Sequence, residues 1–164
     1  MLKVLLVDDE TITLKGLQYI LTKYHPEYEI IGAIKNPEEA LKVLQTSAVN
    51  VVITDVKMPD INGAELTKLV HGLYPETFVI ILSGFSDFEY VRQCMKNGAY
   101  DYLLKPCKYQ DLFDILQKIE AQIIEKDKKL QQDMHKKYFK KILLGEERIP
   151  EKWSIYDKIG KAHV

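Results

Sequence analysis

The stretch Val49-Asn-Val-Val-Ile-Thr-Asp55-Val-Lys-Met-Pro-Asp-Ile-Asn-Gly63 decides how this chain folds. Its first half is a short, continuous run rich in β-branched residues, which is typical of a strand buried on both faces of a parallel sheet. The run ends in the single carboxylate of Asp55, and the chain then breaks at Pro59 and at Asn62-Gly63. A lone Asp in this position is usually a helix cap or a turn former. Ligands of open α/β sheets bind at the carboxyl ends of strands, however, so Asp55 also occupies a functional position.

Four more apolar runs alternate with helical patterns on either side of this stretch. The predicted strands are 3–7, 28–34, 51–54, 78–82 and 100–104. Asn36 and Pro37 give one intervening helix an N-cap and a first-turn proline, and Ser86 with Glu89 has the spacing of a capping box. Strands that alternate with helices predict an α/β fold, with a doubly wound five-stranded parallel sheet in the order 2-1-3-4-5.

Polar side chains stand at the carboxyl ends of four of these strands. They are Asp8 and Asp9, Asp55, Ser83 and Lys105. The first and third strands are neighbours in the predicted order, so their three carboxylates converge. Three anions at close range repel one another unless a cation lies among them, and a few oxygen ligands suit Mg²⁺. The sequence therefore predicts a Mg²⁺ site at this edge of the sheet.

The same residues have the chemistry needed to accept a phosphoryl group. Mg²⁺ and the Lys105 ammonium would neutralise charge on the transferring oxygens, while a carboxylate oxygen of Asp55 attacks in line. The Ser83 hydroxyl would donate a hydrogen bond to the new phosphoryl oxygens. The backbone carbonyl of Lys57, just past Asp55, offers a further metal ligand.

These motifs as a set resemble the receiver domain of two-component response regulators. The matching positions are Asp8-Asp9, Asp55-Val-Lys-Met-Pro-x-x-x-Gly63, Ser83-Gly84, Tyr102 and Lys105-Pro106, and the likeness covers residues 1–122. The resemblance implies a flavodoxin-like receiver fold in which Asp55 accepts phosphate from a sensor histidine kinase. It further implies that Asp9 ligates Mg²⁺ directly, that Asp8 acts mainly through a bound water, and that the Lys105–Pro106 peptide is cis.

The resemblance also implies a switch rather than an enzyme, although the domain would assist its own phosphorylation and dephosphorylation. Ser83 would move toward the phosphoryl group and Tyr102 would turn inward behind it. The surface that changes would be the helix from Asp87, the fifth strand and the helix from Tyr109. This face would be one route to a homodimer.

The chain is expected to have a second part, a helical linker or extension over residues 123–164. Residues 1–124 carry 12 basic and 17 acidic side chains, whereas residues 125–164 carry 11 basic and 7 acidic ones. The basic part is interpreted as a solvated helix face in preference to a nucleic-acid surface. Its narrow apolar stripe favours a helix that extends the last receiver helix into a weak coiled-coil contact, a second route to a homodimer. The alternatives are a segment that folds back and one that is disordered in a monomer. Trp153 and Tyr156 suggest a docking contact.

Residues 142–164 are too few for an independent domain. Two segments resemble those of regulators that continue into an AraC-type DNA-binding domain. They are Ser83-Gly-Phe-Ser-Asp-Phe-Glu-Tyr90 and the Leu-Leu-Gly-Glu segment at 143–146. This resemblance implies a transcription regulator whose DNA-binding domain would lie beyond this chain.

Other features favour a cytoplasmic protein. No apolar run is long enough to span a bilayer, the N-terminus does not have the pattern of a signal peptide, and Cys94 and Cys107 lie in unrelated segments. Two alternatives remain: a stand-alone receiver that acts by protein contact, and a Mg²⁺-dependent phosphohydrolase with an aspartyl-phosphate intermediate. The second is disfavoured because Asp8-Asp9-Glu10 lacks an Asp-x-Asp pattern and the chain has no room for a cap domain.

Overall fold

The computed structural model describes residues 1–148. The elements are β1 Lys3–Val7, α1 Thr11–Tyr24, β2 Glu29–Ile34, α2 Pro37–Thr46, β3 Val51–Asp55, α3 Gly63–Leu73, β4 Phe78–Ser83, α4 Phe88–Lys96, β5 Asp101–Leu104 and α5 Tyr109–Leu143. Chain contacts divide the protein into two compact units, Met1–Glu120 and Ala121–Val164. Strands and helices therefore alternate as the sequence predicts.

The five strands form one parallel sheet in the order β2-β1-β3-β4-β5, which confirms the predicted topology. β1 and β3 are neighbours, and Val7 is in register with Thr54. The residues that follow them, Asp8 and Asp55, consequently emerge side by side at the carboxyl edge of the sheet.

Apolar side chains fill both faces of the sheet. One face packs into a cluster with α2, α3 and α4, whose strand members are Leu5, Val7, Val52, Val79 and Ile81. The alternate strand positions, which include Val4, Leu6, Ile53 and Ile80, are also fully buried and point to the opposite face. The buried residues of α1 and of the first turns of α5 lie outside the first cluster and supply the cover for that second face.

The helix ends agree with the sequence in one case and differ in another. The Asn36 side chain accepts a hydrogen bond from the Glu38 N–H, and Pro37 stands in the first turn, as predicted. The predicted capping box at Ser86 and Glu89 is wrong. Helix α4 begins one residue later than that pattern requires, and Asp87 at its N-cap position makes no side-chain cap.

The second unit consists, over its described part, of the rest of α5 and a short turn. Gly145 follows the helix with φ of 73°, a conformation that favours glycine as a helix stop. Apolar side chains at Ile124, Leu130, Met134 and Phe139 are exposed. The coiled-coil contact stays a prediction, and the docking contact inferred from Trp153 and Tyr156 lies outside the described residues.

Candidate functional site

Three carboxylates converge at the carboxyl edge of the sheet. One carboxylate oxygen from each of Asp8, Asp9 and Asp55 lies within 4.8 Å of the other two. Asp8 and Asp55 are buried, whereas Asp9 is exposed. The Glu10 backbone N–H donates to Asp8 Oδ1 at 2.8 Å, which fixes that carboxylate at the end of β1. The strand ends thus bring together the three acids that the sequence assigned to one metal site.

Lys105 places its ammonium group between the two buried acids. Its Nζ lies 3.0 Å from Asp8 Oδ2 and 3.3 Å from Asp55 Oδ2. The Lys105 backbone N–H donates to the Ser83 carbonyl at 2.7 Å, so the residue is anchored to the end of β4. The Lys105–Pro106 peptide is cis, as the resemblance implied. One cation of the chain is therefore shared by two carboxylates.

Burial and mutual repulsion dominate the electrostatics of these groups. Burial raises the pKa of the Asp8 carboxyl above its usual range, although the Glu10 N–H and Lys105 oppose the shift. Burial, together with the charge of Asp8, likewise raises the pKa of the Asp55 carboxyl. Burial would lower the pKa of the Lys105 ammonium, but its two carboxylate partners outweigh that effect and raise it. Charge neutralisation by Lys105 is therefore incomplete.

The donor set fits a divalent cation. All three side chains offer carboxylate oxygens, two of them are held by the ends of neighbouring strands, and the Lys105 ammonium pairs with Asp8 and Asp55. Mg²⁺ is bound in proteins by a few carboxylate oxygens together with waters. The Lys57 backbone N–H opposes the upward shift of the Asp55 pKa, so the loop that would supply the Lys57 carbonyl runs near this acid.

Ser83 and Tyr102 lie on β4 and β5, the two strands beyond β3 in the sheet. Ser83 is fully buried at the end of β4, and its hydroxyl has no hydrogen-bond partner within residues 1–148. Tyr102 on β5 has 45% of its surface exposed. Ser83 stands at the carboxyl end of β4, the neighbour of β3, and within the described residues its buried hydroxyl is a donor without an acceptor, which suits a site that receives an anionic group.

Two more residues belong to the site and were not predicted to act there through their side chains. Lys57 Nζ lies 2.7 Å from Asp87 Oδ1 and 5.7 Å from the centre of the Tyr90 ring. The sequence pattern placed Asp87 only at the start of a helix, directly after Ser86 as the predicted cap. An ion pair between residues thirty positions apart has no local sequence signal.

This fold and this acid cluster define a receiver domain, a signalling domain of two-component systems. The model of the response regulator receiver domain matches residues 4–117, and the chain belongs to that family.

The relatives of this chain are longer regulators. It is 41% identical over 137 residues to YesN of Bacillus subtilis strain 168, which bears the name of an uncharacterized transcriptional regulatory protein. It is 36% identical over 125 residues to the transcriptional regulatory protein HptR of Staphylococcus aureus strain NCTC 8325. These alignments cover 84% and 76% of this chain but only 36% of YesN and 49% of HptR.

A solved structure supports the same assignment. The REC domain of AraT, a response regulator from Geobacillus stearothermophilus, superposes with a TM-score of 0.70 at 28% identity. The superposition covers 77% of this chain and 98% of that one. Within the described residues, no helix is long and apolar enough to cross a membrane.

Proposed function

We propose that this chain is the phospho-accepting receiver part of a transcription regulator, and that Asp55 takes a phosphoryl group from a sensor histidine kinase. The observation that carries the proposal is the shared position of Lys105, whose ammonium contacts the carboxylates of both Asp8 and Asp55. An acceptor carboxylate needs a cation beside it that neutralises the incoming oxygens, and Lys105 is already there.

Each residue has a distinct part in the proposed transfer. A carboxylate oxygen of Asp55 forms the bond to phosphorus as the bond to the donor nitrogen breaks, and the electron pair leaves with that nitrogen. Lys105 stays beside Asp55 and binds a phosphoryl oxygen. The buried hydroxyl of Ser83, which lacks a partner within residues 1–148, donates to another one.

The metal proposal concerns the same acids. Asp8, Asp9, Asp55 and the Lys57 carbonyl would hold Mg²⁺, which supplies charge neutralisation to the transferring oxygens when bound. Asp8 and Asp9 keep the site negative enough to attract a divalent cation despite Lys105.

The proposed output is a change of surface. Ser83 moves toward the phosphoryl oxygens, and Tyr102 turns from its half-exposed position into the space behind β4. The face formed by α4, β5 and α5 then differs between the two states, as in a population shift biased by phosphate. The names of the longer relatives favour control of transcription. We propose that DNA is bound by a domain beyond this chain and that the protein acts in the cytoplasm. We further propose residues 1–122 as the receiver and 123–164 as the linker.

Intact-mass measurement tests the acceptor. The protein is incubated with Mg²⁺ and acetyl phosphate, and we expect the added mass of one phosphoryl group. Asp55→Asn abolishes the addition, whereas Asp60→Asn retains it. Asp60 is a matched control because it is an exposed acid of the same loop, and Asn tolerates its positive φ of 67°.

Three results would contradict the proposal. Labelling that survives in Asp55→Asn would move the acceptor to another residue. Loss of labelling in Asp60→Asn would show that the loop, rather than the Asp55 carboxylate, controls the reaction. Continuous release of phosphate from a generic phosphate ester would favour the phosphohydrolase alternative.

A further inference from the structure

Lys57 and Asp87 join the two loops that border the acid cluster. Lys57 lies in the loop between β3 and α3, and Asp87 stands directly before α4. Their side chains meet at 2.7 Å between Lys57 Nζ and Asp87 Oδ1. We call this ion pair the Lys57–Asp87 bridge. It ties the residue two positions after Asp55 to the start of α4.

The Asp87 side chain contacts Lys57 and the Gly84 N–H and does not cap helix α4. An N-cap Asp usually accepts a hydrogen bond from the first turn of its helix, but Asp87 makes no such bond. Its Oδ2 accepts from the Gly84 N–H at 2.8 Å, and only 8% of its side chain is exposed. The carboxylate therefore points back toward the loop that follows Ser83.

Lys57 is the exposed partner of the pair. Its side chain is 57% exposed, and its ammonium lies 5.7 Å from the centre of the Tyr90 ring on α4. Its pairing with the Asp87 carboxylate raises the pKa of the Lys57 ammonium. Such a contact exchanges readily when a stronger anion comes near.

We propose that the Lys57–Asp87 bridge holds the loop before α4 in its unphosphorylated arrangement, and that a phosphoryl group on Asp55 releases it by drawing Lys57 away. This inference rests on the proposed function of Asp55. Asp87 acts as a positioning residue, because it contacts Lys57 and Gly84 and none of the three clustered acids.

Charge explains why phosphorylation would favour the exchange. The charge of Asp55 already acts on Lys57 across the loop. A phosphoryl group brings roughly two negative charges and three acceptor oxygens, against the single charge of Asp87. When Lys57 turns to those oxygens, the buried Asp87 carboxylate loses its counter-charge, which destabilises its position. The start of α4, which has no side-chain cap, is then free to move.

Hydrogen exchange of the unphosphorylated full chain tests the bridge itself. Asp87→Asn keeps an acceptor for the Gly84 N–H but removes the charge that holds Lys57. We expect the amides of residues 84–91 to exchange about fivefold faster, the effect of losing an ion pair at the upper end of the exposed range. Glu89→Gln, which neutralises an exposed acid in the same first turn, loses only the attraction of that acid to the helix dipole and should speed their exchange less than Asp87→Asn.

A second variant keeps the test valid should Asp87→Asn fold poorly. Lys57→Gln removes the exposed partner instead, and we expect faster exchange over the same residues. The double variant should show less than the summed effect, because both substitutions break one contact. Unchanged exchange in both single variants, or equal effects in Glu89→Gln, would overturn the proposal.

Exchange after phosphorylation separates this inference from the proposed function. We expect wild-type protein labelled on Asp55 to exchange over residues 84–91 as fast as unlabelled Asp87→Asn, and labelled Asp87→Asn to gain little more. Labelled wild type without faster exchange overturns the release step and leaves the acceptor role of Asp55 intact. Failure of Asp55 to label at all overturns the proposed function and the release step together, while the exchange of the unlabelled variants still reports on the bridge.

Discussion

Gly63 lies against the backbone of Asp55, so closely that a β-carbon on Gly63 would stand 2.5 Å from the Asp55 carbonyl oxygen and 2.8 Å from the Val56 α-carbon. Both neighbours are backbone atoms that cannot turn aside. The Gly63 N–H also donates to the Val56 carbonyl at 2.8 Å. The first residue of α3 therefore fixes the path of the chain as it leaves Asp55.

Replacement of Gly63 should consequently disturb the site and the fold together. Gly63→Ala forces a backbone shift next to Asp55, and we expect it to lower the free energy of unfolding by roughly 1–3 kcal/mol. Gly16→Ala is the control, because nothing lies within 4 Å of its β-carbon position in the middle of α1. It should raise stability by about 0.5–1 kcal/mol. Urea unfolding of both variants measures the contrast, and similar stabilities would refute the close packing.

Replacement of Ser83 should raise the stability of the protein, whereas replacement of Gly63 should lower it. Its buried hydroxyl has no hydrogen-bond partner within residues 1–148, so Ser83→Ala removes a polar group that contributes nothing to the unphosphorylated fold. We expect the free energy of unfolding to rise by up to about 1 kcal/mol. Labelling of Asp55 by acetyl phosphate should meanwhile slow, because a donor to the phosphoryl oxygens is lost.

Thr67→Val is the matched control for Ser83→Ala. Thr67 is also buried, but its hydroxyl donates to the Gly63 carbonyl at 2.6 Å. Removing that hydroxyl should lower stability by about 1 kcal/mol. A loss of stability in Ser83→Ala comparable to that of Thr67→Val would mean that Ser83 has a structural bond in solution.

The sheet and the acid cluster were predictable because local sequence indicates the strands and the fold class supplies their order. The β-branched run up to Asp55 can be buried on both faces only within a parallel sheet, and parallel strands present their carboxyl ends at one edge. Because β1 and β3 are adjacent in the sheet, Asp8 lies close to Asp55. Nothing beyond strand order was needed to predict that meeting.

Contacts between side chains from distant loops were not predictable in the same way. The spacing of Ser86 and Glu89 indicated a capping box, but the path of the chain after Gly84 turns Asp87 toward Lys57. The competing tertiary ion pair outweighs the local cap. The unpaired state of the Ser83 hydroxyl likewise depends on every neighbour around it, which no single stretch of sequence specifies.

The two thiols should react slowly in the native protein. Burial raises the pKa of the Cys94 thiol to about 11, and burial with the charge of Asp111 does the same for Cys107. Thiolate is the reactive form, so its fraction at pH 8 is about a hundredfold below that of an ordinary cysteine. Peptide mapping after iodoacetamide treatment should show slow alkylation of both, with Cys107 accelerating as the pH rises toward 11.

The raised pKa values of the two thiols also determine how the stability of the protein changes with pH. A thiol whose pKa is higher in the folded state contributes stability that is fully present below its unfolded pKa and falls as the pH rises toward the folded value. We therefore expect stability to decline between about pH 9 and about pH 11, less steeply in Cys94→Ala than in wild type. Alkylation of native Cys107 at pH 7 as fast as in denaturant would contradict the raised pKa.

Mg²⁺ should stabilise the protein through the three clustered acids. A ligand that binds only the folded state adds about 2.7 kcal/mol at a hundred times its dissociation constant, which corresponds to a rise in Tm of several degrees. Asp9→Asn should lose most of this rise, because it removes the exposed acid of the cluster while leaving Asp8 and Asp55 paired with Lys105. The measurement is thermal unfolding with and without MgCl₂.

Two controls separate metal binding from a general effect of salt. NaCl at the same ionic strength screens exposed charges equally but cannot bridge carboxylates, so it should leave Tm almost unchanged. Asp60→Asn, an exposed acid of the neighbouring loop, should keep the full response to MgCl₂. Because Asp9 is exposed, Asp9→Asn alone should change Tm little without the metal. An equal rise with MgCl₂ in wild type and Asp9→Asn would place the cation elsewhere, since the cluster would then have only its two buried acids, both already neutralised in part by Lys105.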